Sequence, residues 1–167
     1  MPSAFIRAVV TAACLVASPL FAEAKTYSIP DPNPVAVITL PDGWESSEID
    51  KGVQSTSEDE TVYVSVEVTE LKDAAQAIAD AVKWLKSKDV VIDQASQEQK
   101  PFSINGLEGV QVKWNGKDED GPTHVSLTLL QVTDTKGLVL TYWASPEGET
   151  ENLKDLSSII NSLKGLK

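Results

Sequence analysis

The ten residues Thr61–Glu70, TVYVSVEVTE, carry the plainest structural signal in the chain: Val62, Val64, Val66 and Val68 alternate with Tyr63, Ser65, Glu67 and Thr69. A period of two in β-branched residues predicts a strand whose two faces differ. The period then changes. From Asp73 to about Lys86, Leu71, Ala75, Ile78, Val82 and Leu85 recur at three- and four-residue steps. That is the stripe of an amphipathic helix, with Asp73 placed as its N-cap. At the helical turn of roughly 100° per residue, Trp84 falls about 120° from the stripe's centre, beside Ala77 and Ala81. It belongs to the helix flank rather than to its packed face.

Outward from this pair, Val35–Leu40 (VAVITL) predicts a strand ended by the turn Pro41-Asp42-Gly43, and Gly52–Thr56 a short one. Downstream, Val90–Ile92 and part of Gln94–Ile104 are weaker strands. Asn105-Gly106 marks a type I′ hairpin, because that turn needs positive φ at both central residues. Leu107–Asn115, Thr123–Thr133 and Leu138–Trp143 complete the strands, with Gly116–Pro122 as a charged loop. Thr150–Lys164 is a closing helix, with Leu153, Leu156, Ile160 and Leu163 at helical spacing. Hairpin-length links make neighbouring strands antiparallel, and each helix needs a sheet face to cover its stripe. The expected fold is α+β: an antiparallel sheet of about six strands sandwiched by helices, over residues 35–167. Residues 25–34, with three prolines, read as an extended lead-in.

The first 24 residues read as an export signal. Arg7 precedes the apolar run Ala8–Phe21, and Ala22-Glu23-Ala24 is a small-x-small cleavage site. The run is shorter than the roughly 20 residues of a spanning helix. Cleavage after Ala24 is the expectation, and with it an exported chain, periplasmic or secreted, with no transmembrane segment in the mature part. Lipidation at Cys14 is the rival reading, but Thr11 stands where a large aliphatic residue is usual. Removing 24 of 167 residues leaves 143, one domain of ordinary size. The only cysteine leaves with the signal, so disulfides, thiolate metal sites and thiol nucleophiles are excluded from the mature chain.

The net charge of −11 survives cleavage, because Arg7 and Glu23 leave together. Arg7 is the sole arginine. An acidic mature chain with no arginine does not neutralise a phosphate backbone, so nucleic acid is not expected as a partner.

Several of these segments resemble the PsbP-like superfamily, whose fold is shared with a nuclear Ran-binding protein and whose bacterial relatives include envelope proteins of the DcrB type. The likeness lies in Ile38-Thr39-Leu40-Pro41-Asp42-Gly43-Trp44, the valine-alternating strand, and Asn105-Gly106 with Gly109. It continues in Gly137-Leu138-Val139-Leu140-Thr141-Tyr142 and in the closing Ile159-Ile160-Asn161-Ser162-Leu163. The resemblance implies an antiparallel sheet between helices and a role in binding other proteins, with no shared catalytic set and no cofactor.

The residues themselves offer little chemistry. His124 is the only histidine, no G-x-S-x-G elbow accompanies it, and no phosphate-binding glycine motif occurs. No catalytic residue is assigned. A hard cation would find its oxygen ligands at Asp118, Glu119 and Asp120, although the spacing fails the EF-hand pattern: Leu127 stands where the bidentate glutamate belongs. The four tryptophans, Trp44, Trp84, Trp114 and Trp143, serve either as core or as the lining of a binding groove. Trp84 with Ala77 and Ala81 is the sharpest candidate, because two small residues below a large ring leave room for a partner's side chain. Three functions stay open: a non-enzymatic accessory protein engaging another envelope protein, a small-molecule or lipid carrier with an aromatic-lined pocket, and a hydrolase with an unconventional site.

Overall fold

The computed structural model describes residues 24–30 and 32–166. The expected export signal, Ala24 apart, lies outside them. In chain order the strands are β1 (Lys25–Ile29), β2 (Ala36–Leu40), β3 (Glu45–Ile49), β4 (Gly52–Thr56), β5 (Val62–Glu70), β6 (Val91–Ile92), β7 (Glu98–Ile104), β8 (Leu107–Lys117), β9 (Pro122–Gln131), β10 (Lys136–Ala144) and β11 (Lys164–Gly165). Helix α1 (Ala74–Ser87) follows β5, and α2 (Pro146–Glu151) and α3 (Leu153–Ser162) follow β10.

The valine strand β5 sits inside an eight-stranded antiparallel sheet of order β3-β4-β5-β10-β9-β8-β6, in which β7 also pairs with β8. Its two faces bury different things. Val62 and Val66 join Leu130, Leu138 and Ala144 in a core closed by Leu156 and Ile159 of α3 and by Ile38 and Leu40 of β2. The opposite face carries Tyr63, Val125, Leu127 and Trp143 against Leu85 and Val82 of α1. The alternation along Thr61–Glu70 is thus two cores, one on each side of a sheet whose helices lie on opposite faces.

The count of about six strands is too low: the described residues contain eleven, in two sheets. β3 (ESSEI) is an edge strand with almost no apolar residue, so periodicity does not reveal it. β1 lies in the stretch expected as a lead-in. Its Tyr27 and Ile29 are buried, and all five of its residues pair antiparallel with β2 in a small sheet completed by β11. The charged loop is shorter than expected, since β8 runs to Lys117 and β9 begins at Pro122. The closing helix begins earlier and is broken. Ser145 accepts the backbone N–H of Gly148 at 2.9 Å as the N-cap of α2, Pro146 occupies the first turn, and Asn152 at ψ 11° separates α2 from α3. Asp73 closes a short 3₁₀ turn before α1, and its side chain makes no capping hydrogen bond. Asn105 and Gly106 have φ of 49° and 82°, as a type I′ turn requires, and the Asn105 amide donates to the carbonyls of Asn161 and Leu163 at the end of α3.

Candidate functional site

The face under α1 is built by cross-strand register. One row across the sheet reads Trp114, Val125, Trp143, Tyr63. The next reads Val112, Leu127, Thr141, Ser65, Gln54, and the one after ends in Val139, Glu67, Gly52. Large rings therefore stand at one end of α1, and small or polar groups lie under its middle. Ser65 and Thr141 on the sheet line this space with Ala77 and Ala81 on the helix, and small residues on both sides leave it unfilled. The result is a cavity of about 310 Å³ bounded by Ala77, Ala81, Trp84, Tyr63, Ser65 and Glu67, with Lys51 and Asp80 also in its wall.

Trp84 is half-buried at the rim. Its ring lies 4.8 Å from that of Tyr63 and 5.5 Å from that of Trp143, and Tyr63 and Trp143 stack at 4.5 Å with 22° between planes. Such offset aromatic contacts each contribute about 0.5–1.5 kcal/mol beyond area burial. The tryptophans do not share one groove. Trp84 and Trp143 meet, with Ala77 and Ala81 alongside. Trp114 is buried further along the same face, its indole N–H donating to Gln97 at 3.1 Å. Trp44 lies in the other core, its indole N–H donating to Asp155 of α3 at 3.2 Å.

Glu67 is the residue the sequence reading passed over. It occupies a central strand, where burial raises its carboxyl above the usual carboxylate range while the Lys51 ammonium pulls the other way. Burial also pushes the Tyr63 phenol up to about 12, with the Glu67 charge adding to the shift. A glutamate on the interior face of a strand paired on both sides is the signal that marks it, but only the pairing reveals that β5 is central.

The valine face holds a second, larger groove of about 470 Å³ between α3 and the sheet, lined by Val64, Leu140, Phe102, Leu153, Leu156 and Ile160. Leu153 and Ile160 are 64 % and 44 % exposed at its rim. Its polar end is a small network. Glu149 of α2 accepts the Tyr142 hydroxyl at 2.8 Å through one oxygen and meets His124 Nδ1 at 2.8 Å through the other. Burial and the Glu149 contact together hold the Tyr142 phenol well above its ordinary range. The His124–Glu149 contact is the single approach of a basic to an acidic side chain within 4 Å among the described residues. No serine or threonine hydroxyl bonds to the His124 ring among them.

In the acidic loop, the Asp118 carboxylate accepts the backbone N–H groups of Asp120 and Gly121 at 3.1 and 3.2 Å, a turn-closing role. Glu119 and Asp120 are exposed. Among the described residues no three His, Cys, Asp or Glu side chains converge as a metal site.

Neither a family model nor a curated protein matches the sequence. Solved structures do match. Cyanobacterial PsbP (CyanoP) from Synechocystis sp. PCC 6803 aligns over 93 % of this chain and 98 % of its own, at 12 % identity and a TM-score of 0.55. LpqN, involved in cell envelope biogenesis of Mycobacterium tuberculosis, aligns over 84 % of this chain and 90 % of its own, at 11 % identity and 0.51. A protein from Bacteroides thetaiotaomicron VPI-5482 aligns over 86 % of this chain at 14 % identity and 0.57, and there the chain spans 48 % of the other's length. The chain has a PsbP-like fold, as its motifs suggested. At such identities the likeness concerns the fold alone.

Proposed function

We propose that this is an exported, non-enzymatic accessory protein that engages another envelope protein through the α1 face. The observation that carries the reading is the half-buried Trp84, which lines the cavity with Ala77, Ala81 and the buried Tyr63 and is backed by Trp143. A large ring at the rim of a concave site is the usual anchor of a protein interface. LpqN, a structural neighbour, is involved in cell envelope biogenesis, which fits the same setting. Among the described residues no helix is long and apolar enough to cross a membrane. The test is capture from envelope extracts by the folded protein and by its Trp84→Ala variant, read by mass spectrometry. The protein retained by the wild type is expected to be lost from the variant, and equal retention would end the reading.

The carrier alternative has its own support in the apolar groove under α3, whose rim leucine and isoleucine are exposed. It predicts an amphiphile at unit stoichiometry in native mass spectra of protein purified without detergent. The hydrolase alternative draws on the His124–Glu149 pair, which is how an acid orients a base. Among the described residues no serine or threonine hydroxyl hydrogen-bonds the ring, and under the accessory reading His124→Ala is expected to leave partner capture intact.

A further inference from the structure

We infer that the cavity beneath α1 takes the guanidinium of an arginine side chain presented by the partner protein, with Glu67 as its counter-ion and the Trp84 and Tyr63 rings as its walls. The inference rests on the α1 face being the partner surface, and it adds what enters there.

Three features converge on a planar cation. The first is a carboxylate with no direct partner. Glu67 forms neither an ion pair nor a side-chain hydrogen bond among the described residues, although it lies on a central strand and lines the cavity. A carboxylate drawn out of water without a partner is costly, and its raised proton affinity records that cost. Lys51 reaches the same wall without pairing with it. Asp80, at the helix side, adds a second carboxylate, which accepts the Gln76 amide at 2.9 Å.

The second is an acceptor set. Thr141, 2 % exposed, lines the cavity, and its hydroxyl makes no hydrogen bond to another described residue. Ser65, its cross-strand neighbour, is 3 % exposed. A guanidinium carries five N–H donors in one plane, enough to meet a carboxylate and two hydroxyls together.

The third is the aromatic wall. Indole and phenol faces attract cations, and flat guanidinium groups stack on them. Lys88 already sits over the Trp84 ring, its Nζ 5.8 Å from the centroid, so that ring is in use as a cation platform. The described residues include no arginine, so the chain's own described part supplies none to fill the site. The overall charge of −11 favours approach of a basic partner.

The test is an NMR titration of the folded protein with butylguanidinium, followed at the Trp84 indole N–H and the Ser65 and Thr141 amides. Saturable shifts confined to these groups are expected. Butyramide, neutral and of similar size, is expected to produce none. Glu67→Gln is expected to raise the dissociation constant at least about tenfold, as removal of a charge-assisted hydrogen bond does. Absent shifts, equal shifts with butyramide, equal binding of butylammonium, or unchanged affinity in Glu67→Gln would each overturn the inference. Partner capture separates this from the parent reading. If Trp84→Ala loses the partner while Glu67→Gln keeps it, the surface stands and the arginine falls. If both variants keep it, the surface falls and takes the inference with it.

Discussion

Glu67 and Asp59 are carboxylates pushed in opposite directions, and their linkage to stability has opposite signs. Burial raises Glu67, so the folded chain holds its proton to higher pH than the unfolded chain does. Stability then falls as pH climbs from the unfolded value of 4.5 through the raised folded value. Glu67→Gln is expected to raise the neutral-pH melting temperature and to flatten this part of the pH profile. A lowered melting temperature would mean the carboxylate is compensated after all. Asp59 sits in the turn between β4 and β5. Some desolvation raises it, but hydrogen bonds from Ser57, Thr61 and Asn152 outweigh that and hold it well below the usual carboxylate range. Its contribution is present above 3.8 and disappears as pH falls through its depressed value. Asp59 is largely exposed, so the effect is screened. Asp59→Asn is expected to cost about 1 kcal/mol at pH 7, measured by urea denaturation, and the gap to wild type is expected to close in acid.

At the scale of elements, the β4–β5 turn and α2 are tied by close packing and hydrogen bonds. Ser145 caps α2 through the N–H of Gly148, and Gly148 lies so close to Thr61 that a Cβ there would come within 2.2 Å of the threonine hydroxyl. Ser145→Ala is expected to cost about 1 kcal/mol, as loss of an N-cap does. Gly148→Ala forces Thr61 or the helix to move, at about 1–3 kcal/mol. Because α2 also supplies Glu149, the alanine variant is expected to shift the His124 and Tyr142 resonances in NMR spectra. An unshifted His124 with full stability would show that α2 is not held by this contact. The sequence Ser145-Pro146 was a legible helix start, a cap followed by a proline in the first turn. The apolar spacing at Leu153, Leu156 and Ile160, on which the expected boundary at Thr150 rests, begins only after it.

At the scale of the whole molecule, the stabilising surprise is β1. Tyr27 and Ile29 fill the core shared by the small sheet, α3 and the valine face, and Ile29 is completely buried. Full burial of such side chains stabilises by about 1.5–3 kcal/mol each, so a chain beginning at Val35 is expected to lose roughly 3–6 kcal/mol. That is a large part of the usual 5–15 kcal/mol of a domain. Urea midpoints of the two chains measure it, and a shift equivalent to under 1 kcal/mol would show that β1 is dispensable.

The sequence by itself determined the class and the alternation. Period two at Thr61–Glu70, period 3.6 in α1 and the Asn105-Gly106 turn are local signals, each set by the backbone geometry of its own segment. It also placed Trp84, Ala77 and Ala81 on one helix flank, since that needs only the helical angle. What lies opposite the flank was decided by tertiary structure alone. Gln54, Ser65, Glu67 and Thr141 come together through the pairing of β4, β5 and β10, across separations of up to 87 residues, and register between distant strands leaves no trace in any one of them. The same holds for β1, whose polar-looking, proline-flanked residues become core only because β2 and the valine face meet them. Burial is a property of the partner surface as much as of the residue, and the partner surface exists only once the chain has folded.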